Sequence, residues 1–171
     1  MRGFVADIED LTTDNGDFRR VLYTGRNLQL VVMSLKPGEE IGLETHDDRD
    51  QFFRVESGAG EVLIDGEKTP IADNDGIIVP AGALPNVINA GDAPLKLYTI
   101  YGPPEHVDGT VHRTKADAEM HHEHFDGRTI HDACGVVHGE PEHYLPVGTG
   151  DGVHAMFTHK IGDVGDAAQS G

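Results

Sequence analysis

The chain has 171 residues, with 13 Lys and Arg against 30 Asp and Glu and a formal net charge of −17 at pH 7. A surface this acidic repels nucleic acid and anionic membranes, so neither is expected as a partner. The single cysteine, Cys134, excludes an internal disulfide and any metal site built from several cysteines. No apolar run reaches the roughly 18 residues of a membrane-spanning helix, and the N-terminal sequence MRGFVADIED lacks the apolar segment of a signal peptide. We therefore expect a soluble, cytoplasmic protein.

Short apolar runs separated by turn residues make up most of the chain as far as Tyr101. Gly, Asn and Asp fill the breaks, where positive φ angles cost little. Strands this short must close on themselves or pair as two sheets, because an open sheet would leave its edges exposed. The pattern predicts an all-β domain over residues 1–113, in the form of a small barrel or jelly roll. The predicted strands span residues 18–24, 28–35, 51–56, 61–64, 76–79, 86–89 and 95–101.

The composition changes after residue 113, where TKADAEMHHEHF contains good helix formers. Thr114 is a suitable N-cap with Asp117 three residues on, and Gly127 stands where a helix would end. A short helix is therefore predicted over residues 114–127. The remaining chain, rich in Gly and His, is predicted to be an extension with a flexible end. It covers residues 128–171, with strand-like pieces at 134–138 and 153–159.

The stretch GEEIGLETHDDRDQFFRVESG resembles the first conserved motif of the cupin superfamily. That motif runs glycine, five residues, His-x-His, three or four residues, glutamate, six residues, glycine. Its positions are taken here by Gly38, Glu44, His46, Gln51 and Gly58. On a strand the Glu and His, two residues apart, would leave the same face, and the Gln would return on the partner strand. The three side chains could converge on a divalent metal in the barrel mouth, or the Glu and His could simply hydrogen-bond to each other and to nearby backbone.

The stretch NDGIIVPAGALPNVIN resembles the second cupin motif, which runs glycine, five residues, Pro-x-Gly, two residues, histidine, three residues, asparagine. Pro80, Gly82 and Asn89 match it, and Asn74 stands at the opening glycine. Asn is a mild replacement, since it tolerates the left-handed region better than other non-glycine residues. Pro85 stands at the histidine position and has no donor atom for a metal. The usual fourth ligand is therefore missing.

Residues 1–129 as a whole are similar to a subgroup of small single-domain cupins often described as mannose-6-phosphate-isomerase-like. The resemblance implies a cupin double-stranded β-helix, a jelly-roll barrel, that forms a homodimer or larger homo-oligomer. It also implies that Glu44 and Gln51 are normal residues of the subgroup, whereas Pro85 is a departure of this chain. Function follows less closely, because cupin barrels include isomerases, dioxygenases, epimerases, regulators and storage proteins.

Ten of the 11 histidines lie at or after His106, so one of them could supply the missing donor. His106 belongs to PPEHVDGTVH, a predicted loop that could cap one end of the barrel. His121 and His124 are three residues apart on the predicted helix and could share a metal on one face. The alternative is that the histidines after His106 are surface residues or part of an oligomer contact.

Two hypotheses about function follow. The first is a cupin with a degenerate divalent-metal or small-molecule pocket, isomerase-like on a sugar or carbonyl compound. Its metal ligands would be Glu44, His46, Gln51 and His106, with Glu44 also the candidate general base. The metal would be Zn, Mn, Fe or Ni, bound weakly or not at all because of Pro85. The second hypothesis is a catalytically silent cupin, a binding or assembly module whose C-terminal tail mediates self-association.

Overall fold

The structure, a computed structural model, describes residues 3–132 of the chain. Within that range it contains nine strands and two short helices. The helices are α1 (Ile8–Asp14) and α2 (Lys115–Met120). The strands are β1 (Arg19–Thr24), β2 (Gln29–Leu35), β3 (Asp50–Ser57), β4 (Ala59–Ile64), β5 (Glu67–Ala72), β6 (Gly76–Val79), β7 (Pro85–Ile88), β8 (Leu95–Gly102) and β9 (Val111–His112).

The strands form two antiparallel sheets with a shared core. The larger sheet has the order β6-β3-β8-β2-β1-β9 and the smaller sheet the order β5-β4-β7. Side chains from both sheets, among them Met33, Phe53, Leu97, Val62 and Val87, belong to one buried cluster. This arrangement confirms the predicted all-β fold of the jelly-roll barrel type. Burying each large apolar side chain contributes about 1.5–3 kcal/mol, so this cluster is the main source of stability.

The larger sheet is built from strands whose inward side chains meet across neighbouring strands. In β3, Phe53 and Val55 are buried and alternate with partly exposed residues, as expected for a strand with one face in the core. Val55 lies opposite Leu97 of β8, which in turn lies opposite Met33 of β2. These cross-strand contacts fix the register, because a shift by one residue would turn the apolar side chains outward.

The smaller sheet accommodates Pro85 because of its position. Pro85 is the first residue of β7, an edge strand, and lies opposite Ile64 of β4. A proline at the start of an edge strand costs little in sheet hydrogen bonds, since its missing N–H is not required there. The replacement of histidine by proline therefore leaves the sheet intact.

Two motif positions have the backbone geometry that the motifs predict. Gly58 has φ of +93°, and a Cβ at this residue would lie 2.6 Å from the carbonyl oxygen of Pro94, so only glycine fits. Asn74 has φ of 73°, in the left-handed region expected for the residue that replaces the motif glycine. Asn89 is fully buried and donates through Nδ2 to the carbonyl oxygens of Leu35 and Ala93, at 2.8 and 2.9 Å.

Three elements were not predicted from the sequence. Strand β5 has one buried residue, Ile71, and contains Pro70, so it lacks the apolar alternation of a strand. Helix α1 has only seven residues and depends on the cap formed by Asp7, whose side chain accepts a 3.1 Å hydrogen bond from the backbone N–H of Asp10. Strand β9 has two residues and pairs with β1.

The predicted helix over residues 114–127 is shorter than expected. Its start is correct: the N–H of Asp117 donates to Thr114 Oγ1 at 3.1 Å and the N–H of Thr114 donates to Asp117 Oδ2 at 2.9 Å. Its end is wrong, because α2 stops at Met120 and Gly127 lies in the following loop. His121 and His124 are therefore not neighbours on one helical face. The predicted pieces at 134–138 and 153–159 lie outside the described residues.

Within residues 3–132 neither helix is long and apolar enough to cross a membrane.

Candidate functional site

A cavity opens between the two sheets near the residues of the first motif. Its enclosed volume is about 10 Å³, roughly the space of one water molecule, and the rest of the depression is open to solvent. Three of the four predicted metal ligands, Glu44, His46 and Gln51, line it, and so does Pro85. His106 does not. The full lining is Ile41, Gly42, Glu44, His46, Gln51, Phe53, Pro85, Asn86, Val87 and Tyr101.

Glu44 and His46 do not lie on a strand, which corrects the sequence prediction. Residues 41–46 have no regular secondary structure, and Gly42 has φ of 110°, which interrupts any β geometry. The segment is held by its ends: the N–H of Gly42 donates to Asn86 Oδ1, and the N–H of Gly82 donates to the His46 carbonyl oxygen, both at 2.9 Å. As a result Glu44 is exposed at the cavity mouth and His46 is mostly buried.

The imidazole of His46 faces a buried carboxylate, that of Glu105. Nδ1 of His46 lies 3.4 Å from Oε2 of Glu105, and Nη1 of Arg49 lies 2.5 Å from the same oxygen. Glu105 is 5% exposed, and its backbone N–H donates to Gln29 Oε1 at 3.2 Å. Because Nδ1 faces this carboxylate, Nε2 lies on the other edge of the ring and is not bound to it. His46 thus has its Nδ1 at ion-pair distance from the carboxylate, longer than a good hydrogen bond.

Tyr101 lies between His46 and His106 and packs edge-on against both rings. The ring centroids are 5.9 and 5.3 Å away, each with an interplanar angle of 87°. Burial raises the pKa of Tyr101 to about 12; the charge of Arg19 opposes this rise and the charge of Glu44 adds to it. The phenol therefore stays protonated at neutral pH, and its hydroxyl lies 3.4 Å from His106 Nε2.

His106 is fixed by contacts outside the cavity. Its Nδ1 lies 3.1 Å from Glu123 Oε1 and its Nε2 lies 3.4 Å from the Tyr101 hydroxyl, so both ring nitrogens have partners. Its backbone N–H and carbonyl both bind the side chain of Gln29, at 2.9 and 2.7 Å. Burial lowers the pKa of His106, although Glu123 acts in the opposite direction. His106 therefore has a structural role next to Tyr101 and does not line the cavity.

The loop after β8 and the segment after α2 contact each other through ionisable side chains. Glu105 accepts from His124 Nδ1 at 2.9 Å, and His106 faces Glu123, so two Glu-His pairs contact each other reciprocally. The N–H of Phe125 adds a 2.7 Å hydrogen bond to the Glu105 carbonyl. We call residues 105–106 with 123–125 the clasp. Its contacts explain why α2 ends early, since helical geometry would prevent them.

Two buried residues, His112 and Arg19, lie close to Glu123 of the clasp. His112 Nε2 lies 3.5 Å from Glu123 Oε2, and burial lowers the pKa of His112. Burial raises the pKa of Glu123, but the hydrogen bond from His106 and the charges of His106, His112 and Arg19 outweigh it, and the net pKa is lowered. Glu123 is therefore ionised and holds the two histidines from one side.

Several of these residues were missed by the sequence analysis. Arg49, Tyr101, Glu105 and Glu123 were not predicted as site residues. The dipeptide Glu-His occurs three times, at 105–106, 123–124 and 142–143, so this repetition alone does not identify the two copies that form the clasp. A strand prediction cannot show that the two dipeptides meet, because that depends on the path of the loops.

The side chains in the cavity do not fit a resident transition-metal centre. Within residues 3–132 no group of three or more His, Cys, Asp or Glu side chains is arranged to hold a metal ion. Gln51 donates through Nε2 to Thr99 Oγ1 at 3.0 Å, and Pro85 contributes no donor. The donors left at the mouth are one carboxylate, one imidazole nitrogen and one amide oxygen, which is a weak set for Zn, Mn, Fe or Ni.

The two-sheet barrel and the motif residues at its mouth define a cupin. The cupin domain family matches residues 31–101. The chain is also 48% identical to BH2720 of Bacillus halodurans, whose crystal structure superposes with a TM-score of 0.69 over 70% of this chain and 96% of that one. The chain therefore belongs to the cupin family, as the motifs indicated.

Curated relatives do not give the chain a specific function. It is 50% identical to the uncharacterized protein YrkC of Bacillus subtilis over 121 residues, which are 67% of this chain and 65% of YrkC. The chain thus spans somewhat less than two thirds of that relative. It is also 32% identical over 76 residues to mannose-1-phosphate guanylyltransferase of Escherichia coli, covering 44% of this chain and 16% of that enzyme. The last match is a distant link to an enzyme of sugar metabolism.

Proposed function

We propose that the open mouth of the cavity binds a small sugar or carbonyl compound and that His46 and Glu44 transfer protons on it, in an isomerase-like reaction. The observation that carries this proposal is the placement of His46 between Glu105 and the cavity, with Nδ1 3.4 Å from the Glu105 carboxylate. A carboxylate on one side of an imidazole favours the tautomer with its proton on that side. The other nitrogen is then free to accept a proton from a ligand.

The chemistry is a proton shift without net oxidation or reduction. His46 Nε2 takes the proton from the carbon next to a carbonyl group, and Glu105 stabilises the imidazolium that forms. The electron pair moves into an enediolate, and His46 returns the proton to the neighbouring carbon. Glu44, at the exposed mouth, moves the proton between the two oxygens.

Two further observations support a sugar or carbonyl ligand. The lining combines polar groups with the apolar side chains of Ile41, Phe53 and Val87, a mixture typical of small-molecule sites. The match to part of a mannose-1-phosphate guanylyltransferase points to the same class of compound.

The test is deuterium incorporation from D₂O into the carbon next to the carbonyl, followed by proton NMR with a panel of small aldoses and ketoses. We expect exchange with the unaltered chain and a loss of about 100-fold or more in His46→Ala. The matched control is His122→Ala, since His122 is exposed and does not line the cavity. Exchange that is equal in His46→Ala would show that His46 is not the base.

The second candidate function is the silent cupin that acts as an assembly module. It is favoured by Pro85 in the lining and by Ile78, which is 71% exposed on the edge strand β6 beside Phe52. An exposed apolar edge strand is a common site of pairing with another chain. The tail proposed to mediate assembly lies outside the described residues. Light scattering of the unaltered chain and of Ile78→Lys tests this candidate. It requires that the unaltered chain is an oligomer, that Ile78→Lys dissociates it, and that no sugar shows deuterium exchange.

A further inference from the structure

The cavity lining contains few ionisable side chains. The lining contains one carboxylate, Glu44, one imidazole, His46, and no Lys or Arg. Proteins bind phosphate and carboxylate groups with Arg and Lys side chains or with free backbone N–H groups. The glycine N–H groups at the mouth do not supply the second kind of donor, because Gly42 donates to Asn86 and Gly82 donates to the His46 carbonyl.

The cations closest to the lining are already bound. Arg49 contacts Asp48 Oδ1 at 2.8 Å, Glu105 Oε2 at 2.5 Å and the Pro104 carbonyl at 2.5 Å. Arg19 is buried and is not part of the lining. An anionic ligand would have to enter past Glu44 and would find no unoccupied cation in the lining.

The groups that face the cavity are mainly hydrogen-bond acceptors. The Glu44 carboxylate is exposed at the mouth, and His46, whose Nδ1 lies on the Glu105 side, lines the cavity beside it. Gln51 is buried, donates through its amide nitrogen to Thr99 and also interacts with Tyr101. Asn86 is committed at both ends, accepting from Gly42 and donating to Glu40. A ligand that satisfies such a wall must donate several hydrogen bonds.

Building on the proposed function, we infer that the ligand is an uncharged polyhydroxyl compound, such as a free sugar, and not a phosphorylated or carboxylated one. Its hydroxyl groups donate to Glu44 and His46 at the open mouth of the cavity. A phosphate would bring two negative charges next to Glu44 without a cation to pair with them, which costs affinity. The inference departs from the sugar phosphate that the name of the similar subgroup would imply.

Isothermal titration of the full chain with D-mannose, D-fructose, mannose 6-phosphate and inorganic phosphate tests the inference. We expect the free sugars to bind and mannose 6-phosphate to bind at least about tenfold more weakly than mannose. Glu44→Lys should reverse this order, whereas Glu67→Lys, the same charge change at an exposed residue outside the cavity, should not. Glu44 is exposed, so the substitution is compatible with folding.

The outcomes separate the inference from the proposed function. Tighter binding of mannose 6-phosphate than of mannose overturns the inference and leaves the proposed sugar site standing. Unchanged preference in Glu44→Lys also overturns it, because the carboxylate would then not face the ligand. Absence of binding by every free and phosphorylated sugar overturns the proposed function and the inference together.

Discussion

Replacing the buried carboxylate of Glu105 with an amide should destabilise the protein strongly. The Glu105 side chain is 6% exposed, and it contacts His46, Arg49 and His124. Glu105→Gln keeps the shape but leaves the guanidinium of Arg49, whose side chain is 15% exposed, without its buried counter-charge. Breaking a fully buried pair costs about 3–5 kcal/mol; since Arg49 is partly exposed and also bound to Asp48, we expect about 2–3 kcal/mol.

Urea unfolding at pH 7, followed by circular dichroism, measures this loss. The midpoint should fall while the slope of the free energy of unfolding against urea stays constant, which indicates an unchanged folded state. Glu67→Gln is the matched control, because Glu67 is exposed and should show no measurable change. A loss below about 0.5 kcal/mol in Glu105→Gln would refute the argument, since the carboxylate would then not be the buried partner of Arg49.

Three further predictions concern pH, metal binding and backbone geometry. Burial lowers the pKa values of His106 and His112 below the ordinary 6.5, so the folded chain binds fewer protons than the unfolded one. The melting temperature should therefore be highest above pH 6.5 and fall as the pH drops from 7.5 to 5.5. This fall should be smaller in His106→Gln. Pro85→His restores an imidazole at the cavity and should raise zinc affinity at least about tenfold by calorimetry; no gain would show that the side chain does not reach the other donors. Gly58→Ala places a Cβ 2.6 Å from the Pro94 carbonyl oxygen at positive φ and should cost more than about 2 kcal/mol, whereas a neutral result in urea unfolding would contradict the close approach.

Much of the barrel could be predicted from the sequence because its strands carry local signals. Apolar runs bounded by Gly, Asn and Asp located seven strands to within two residues, and the second motif predicted that Asn74 has positive φ. Strand β5 was missed because its side chains are mostly exposed and Pro70 interrupts it. The helix end was wrong because local propensity favours continuation through His121, whereas the contacts of the clasp require the chain to turn away.

The candidate site was predicted in part. Motif spacing brought Glu44, His46 and Gln51 to one cavity, although the first two lie on an irregular segment and not on a strand. It also identified Pro85 as the position where the imidazole is lost. It gave no sign of Glu105, whose carboxylate lies 3.4 Å from His46 Nδ1. The metal-ligand roles of Glu44, His46, Gln51 and His106 and the general-base role of Glu44 stay predictions.

The sequence by itself determined the fold and the family of this protein, since short-range periodicity, turn residues and motif spacing are encoded within a few neighbouring residues. Only the tertiary structure decided which ionisable groups meet. Glu105 and His46 are far apart in the chain, as are His106 and Glu123, and their pairing depends on how the loops at the barrel mouth pack. Burial then sets the protonation of these groups, because a charge away from water is stable only beside a partner. The packing of these loops therefore determines whether the barrel mouth can carry out chemistry.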